Sequence, residues 1–155
     1  MSSRKPYAER TDLEKIQSQW NKLTGLHSRN ESSAAIVRAA TAAELAANFA
    51  VRKEFSSKSK LSADFVDSLL VWANGIAGKV DRLLIPITKG EKHHKVVTKL
   101  KDVSLKINKK RNSVAHQGEF CTPEESDVVI QQAKEFIETL VKIYEPNFEL
   151  KDKKR

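Results

Sequence analysis

Between Asn30 and Phe55 the chain carries Ile36, Ala39, Ala40, Ala43, Ala47 and Ala50 at helical spacing, and no other stretch restricts the fold so strongly. Alanine is the best helix former, and its methyl side chain lets a neighbouring helix approach closely. A long helix at a tight seam is therefore predicted from about Asn30 to Phe55. The remaining chain agrees, because helix-spaced apolar residues recur along it and extended period-2 alternation is missing.

The expected architecture is all-α, an up-and-down bundle of four main helices plus short helical pieces. A first helix from about Tyr7 to Leu26 has Leu13, Ile16, Trp20 and Leu23 on one stripe. After the alanine-rich helix, residues 56–60 (Ser-Ser-Lys-Ser-Lys) read as a polar connector. Ser62 caps a helix through Phe65, Leu69, Trp72 and Ile76, which Gly75 and Gly78 loosen and which stops before Pro86. Val96, Leu100, Val103, Ile107 and Val114 define a helix from His94 to about His116. The last helix starts at Thr122 as N-cap, with Pro123 at its first position and Glu125 closing a capping box, and Pro146 ends it. Its core face is Val129, Ala133, Phe136, Ile137, Leu140 and Tyr144, and Trp20, Trp72 and Phe136 are expected in the core. Residues 1–147 form one domain on this reading, and residues 148–155 a basic, frayed tail.

Composition narrows the classes. With 39% hydrophobic and 31% charged residues in 155, the balance is that of a globular chain, and no run approaches the roughly 18 apolar residues of a membrane span. The N-terminal Met1-Ser2-Ser3-Arg4-Lys5-Pro6 lacks the apolar core of a signal peptide, so a cytoplasmic protein without a membrane partner is expected. Cys121 is the single cysteine, which excludes an internal disulfide and a Cys-x-x-Cys zinc site. No metal and no cofactor is expected.

The net charge of +8 suits a polyanionic partner. It is concentrated between Lys89 and Arg111, where nine Lys and Arg residues face only Glu91 and Asp102. This run leads into Arg111-Asn112-Ser113-Val114-Ala115-His116. An Arg fork grips phosphate bidentately at any pH, and His is the side chain poised to exchange a proton near neutrality. Arg111 follows Ile107 by four residues and precedes Val114 by three, which places it on the apolar stripe of its helix. A charge there must snorkel, find an acidic partner, or face a cleft or subunit seam. His116 is five residues beyond Arg111 but four beyond Asn112, on the same face as the amide, and a helix ending near Gly118 could relax the remaining angle.

Three other patterns are weaker. Gly75-Ile76-Ala77-Gly78-Lys79-Val80 has too short a glycine spacing for a phosphate loop, and Val80 replaces the Ser or Thr. His93 and His94 are adjacent, diverge by about 100° on a helix, and read as a solvated pair. Cys121 has no His at a spacing that would make it a nucleophile.

The segment around Arg111 resembles the Arg-x(4 to 6)-His motif of the HEPN superfamily, the "higher eukaryotes and prokaryotes nucleotide-binding" domains, in the form with Asn after the Arg. The resemblance runs through His116-Gln117-Gly118-Glu119-Phe120 and the capped Thr122-Pro123-Glu124-Glu125 start, covering residues from about 94 to 145. It implies a helical bundle that forms a homodimer with two motifs facing one cleft. It also implies a metal-independent endoribonuclease, in a toxin-antitoxin or antiviral defence setting, with an antitoxin or defence-system partner protein possible. Arg111 and His116 match the catalytic pair and Asn112 the polar neighbour, while Glu44 matches an acidic residue of some members. RNA is the expected partner, with Lys106, Lys109 and Lys110 as RNA-binding residues. Two alternatives stay open: a non-catalytic HEPN module binding nucleic acid, nucleotide or a partner protein, and a helical adaptor whose basic surface is incidental.

Overall fold

A computed structural model describes residues 5–118 and 120–152. Residues 1–4, Glu119 and 153–155 lie outside it, and with them parts of the N-terminal segment, the motif's flank and the basic tail. The described residues form six helices and no strand. After a single 3-10 turn at Tyr7–Glu9 come α1 (Asp12–Ser28), α2 (Ser32–Lys58), α3 (Ala63–Trp72), α4 (residues 76–87), α5 (His94–Gln117) and α6 (Pro123–Tyr144).

Helix α2 is the hub, packed by α1, α3, α4, α5 and α6. Its alanines explain how one helix serves so many neighbours. Ala35, Ala39, Ala42, Ala43, Ala46, Ala47 and Ala50 are all fully buried, and they occupy more than the one side expected. By length and composition α2 could cross a membrane, with a mean hydropathy of 1.3, yet 61% of that window is buried inside the bundle, as in a core helix. The four long helices alternate in direction. Arg52 of α2 pairs with Asp12 and Arg38 bonds Gln19, which runs α1 against α2. His93 at the start of α5 meets Glu54 near the end of α2, and the ring of Tyr144 of α6 meets Phe49.

The ends of the helices follow local chemistry. Thr11 with Glu14, and Thr122 with Glu125, make complete capping boxes. In Glu14 the Thr11 backbone and side-chain hydrogen bonds hold the carboxyl below its ordinary value, and in Glu125 the bond from Lys110 does so first. Gly118 closes α5 at φ +65°, donating its N–H to the Ser113 carbonyl, a conformation costly for any residue with a Cβ.

Several expectations are corrected. The helix expected from Ser62, loosened at its glycines, is interrupted at residues 73–75 into two helices, and the second continues past Pro86, where a stop is expected. The continuation is possible because Lys79–Leu84 is a π-helix, in which Ile85 bonds the Val80 carbonyl five residues back. The wider turn relieves the clash that a proline ring makes with the carbonyl four residues earlier. Trp72 is 69% exposed instead of core: α3 buries Val66 and Leu70, and Trp72 projects from the opposite side at its last residue. Nor are His93 and His94 a solvated pair. His93 Nε2 lies 2.5 Å from Glu54 Oε1 and His94 Nδ1 3.1 Å from Thr88 Oγ1. Burial and the Glu54 carboxylate together push the neighbouring Tyr144 phenol well above its ordinary pKa. The tail is also packed as far as described. Leu150 is buried, Lys151 exchanges two hydrogen bonds with Gln17, and Asp152 accepts from Trp20 Nε1 at 2.9 Å.

Candidate functional site

Arg111, Asn112 and His116 line one polar cleft of about 240 Å³ between α2, α5 and the break before α4. Helix α2 contributes Ala40, Thr41 and Glu44, the break contributes Asn74, Gly75 and Ile76, and α5 adds Asn108. Of the three outcomes open to a charge on an apolar stripe, Arg111 takes the cleft. It is half-buried, and among the described residues no carboxylate lies within ion-pair distance of it.

The guanidinium is held by its own helix. Its Nη1 donates to Asn112 Oδ1 at 3.3 Å and lies 3.3 Å from His116 Nε2. A guanidinium has only donors, so His116 Nε2 presents its lone pair in this contact and Nδ1 carries the proton. The five-residue offset needs no relaxation near Gly118. Instead α5 stays α-helical through Gln117, and the length of the Arg side chain covers the angle. Asn108, Asn112 and His116 recur every four residues and so form one face, which the small Ala40 leaves room for.

Glu44 lines the cleft and is engaged there. Its Oε1 accepts from Lys79 Nζ at 2.6 Å and from the Gly75 N–H at 3.3 Å. The Lys79 side chain is only 4% exposed, so this ion pair ties α2 to α4 beneath the cleft wall. The weak glycine pattern at residues 75–80 thus has a structural use: Lys79 is a buried counter-ion and Gly75 forms the cleft wall. Gly75 sits at φ +84°, and a Cβ there would stand 3.1 Å from Asn108 Oδ1. The positive φ favours glycine, and a Cβ would in addition press the Asn108 side chain back by a few tenths of an ångström.

The basic residues divide. Lys109 is exposed and flanks Asn112 on the open side of α5. Lys106 is exposed about 160° round the helix from Asn108, away from the cleft. Lys110 bonds Glu125 Oε2 at 2.6 Å across the α5–α6 corner. Sequence reasoning missed Asn108, Thr41, Asn74 and Gly75. Asn108 could have been found from its four-residue step to Asn112, and the break from the turn-forming Asn74-Gly75 pair.

Compared with known proteins, the chain matches no family model, no curated protein and no solved structure. The site is therefore read from its own groups: one guanidinium, one imidazole, three amides and one neutralised carboxylate around a small polar cleft. Among the described residues no group of three or more His, Cys, Asp and Glu side chains converges.

Proposed function

We propose that this chain is a HEPN-like, metal-independent endoribonuclease that works in the cytoplasm as a homodimer, in a toxin-antitoxin or antiviral defence setting. The observation that carries the reading is the shared cleft, with Arg111 Nη1 3.3 Å from the lone-pair nitrogen of His116. His116 Nε2 takes the proton of a substrate 2'-OH as its oxygen attacks the adjacent phosphorus. The new O–P bond closes a 2',3'-cyclic phosphate, the bond to the 5'-oxygen breaks, and that oxygen leaves with a proton. Arg111 turns from His116 to the phosphate and stabilises the growing negative charge. Asn112 keeps the guanidinium aimed into the cleft.

Incubated with single-stranded RNA in excess chelator, the protein should cut it to products with cyclic phosphate and 5'-OH ends and should leave DNA intact, since DNA lacks the nucleophile. Products with 5'-phosphate ends would defeat the proposal. Binding without cleavage would favour the non-catalytic module.

The dimer is supported by α5 itself. Leu105 is 47% exposed and lies within about 20° of Asn112 and His116 on the helix, so an apolar residue continues the face that bears the motif. An isologous seam there brings two His116 side chains near one axis, one to act as base and the other as acid. Leu105→Glu should shift the mass in solution from dimer to monomer and remove cleavage with it, without loss of helical circular dichroism. A fully active monomer would rule out the shared cleft.

A further inference from the structure

A second basic face lies on α1 and the turn before it. The ring of Tyr7 has three cations over it: Arg10 at 5.7 Å, Lys15 at 5.5 Å and Lys22 at 5.8 Å from its centroid. No two of these charges can be more than about 12 Å apart, at most about one and a half screening lengths at physiological salt, so part of their mutual repulsion survives screening. None of the three makes an ion pair among the described residues. The ring's negative face offsets part of that repulsion, and an anion would offset more.

The surrounding groups suit a phosphate ligand. An open depression of about 530 Å³ is lined by Lys5, Arg10 and Lys22 with the neutral Gln17, Ser18 and Asn21, and its one carboxylate, Glu14, is already used by the Thr11 cap and Lys5. Arg10 is fixed by bonds to the Lys5 carbonyl and Ser18 Oγ, both at 3.0 Å. The Tyr7 hydroxyl accepts from Gln19 Nε2 at 3.0 Å, and Gln19 is itself held by Arg38 at 2.9 Å. Because the Tyr7 hydroxyl oxygen accepts from Gln19, its own proton is left to donate. We propose that this face is a second nucleic-acid site, taking the sugar-phosphate backbone of a single RNA strand beyond the segment in the Arg111 cleft. RNA as the ligand rests on the function proposed above; the cluster itself does not.

The test is designed to separate the two. In a His116→Ala background, where RNA stays intact, binding of a fluorescent single-stranded RNA is followed by polarisation across a salt series. Lys15→Gln with Lys22→Gln should weaken binding about five- to tenfold and flatten the dependence of log K on log salt by about 1.4, the value for two lost phosphate contacts on a single strand. Lys15→Arg with Lys22→Arg should keep the affinity. The charge-matched control Lys53→Gln with Lys60→Gln should change it little. Equal losses in both Gln pairs, or no loss in either, would overturn the site. So would a loss confined to phosphatidylserine vesicles tested in parallel, which would assign the face to lipid. Absence of cleavage by the unmutated protein would count against the Arg111 cleft alone.

Discussion

Replacing His116 with alanine should lower RNA cleavage by about 10² to 10⁴, the usual contribution of one general acid-base group. Stability should barely change, because His116 is exposed and its one side-chain hydrogen-bond partner among the described residues is Arg111 at 3.3 Å. Arg111→Ala should cost about 10² to 10³ by the loss of charge stabilisation at phosphorus. Arg111→Lys should fail as well, since an ammonium cannot hold Asn112 and grip phosphate as a fork does. Initial rates on a labelled RNA, with circular dichroism on the same samples, check all three. Undiminished cleavage by His116→Ala would remove the imidazole from the mechanism.

The second large effect is expected beneath the cleft. Glu44→Ala leaves the ammonium of Lys79 without its carboxylate and the Gly75 N–H without its acceptor. Breaking a buried pair by removing one partner commonly costs 3–5 kcal/mol, and because a third of Glu44 reaches solvent about 2–3 kcal/mol is the reasonable figure here. Urea unfolding should register it as a lower midpoint at unchanged slope. Adding Lys79→Met to Glu44→Gln should return most of that stability, because a neutral pair of similar size carries no stranded charge. If Glu44→Ala alone unfolds at the parent's midpoint, the pair has no structural role.

What the sequence made legible was whatever local chemistry decides. The capping box at Thr122 and Glu125, the helix from His94, and the alanines of α2 are read from neighbours a few residues apart. The grouping of Arg111, Asn112 and His116 was legible for the same reason, since all three stand within two turns of one helix. Residues 62–87 were not. Apolar side chains occupy both candidate faces of α3, with Phe65 and Leu69 on one and Val66 and Leu70 on the other, so periodicity could not choose. The partners of Glu44, Glu54 and Lys110 were hidden too, because Lys79, His93 and Glu125 come from other helices. Charge spacing along the chain carries no information about such pairs, and it could not show that of Lys106, Lys109 and Lys110 it is Lys109 that borders Asn112.

The π-helix at Lys79–Leu84 bears on how this chain can vary. A π turn is an α-helix that has accommodated one residue more than its ladder requires. Deleting any residue between 80 and 84 would let the ladder close again, but it would turn everything before it by about 100° relative to Pro86. Lys79 would then rotate off Glu44, and Gly75 would leave the wall against Asn108. The length of this segment is thus locked to the cleft although none of residues 80–84 lines it, so insertions and deletions should be tolerated in the loop after α4 and neither within α4 nor in the break before it, whose Asn74 and Gly75 line the cleft.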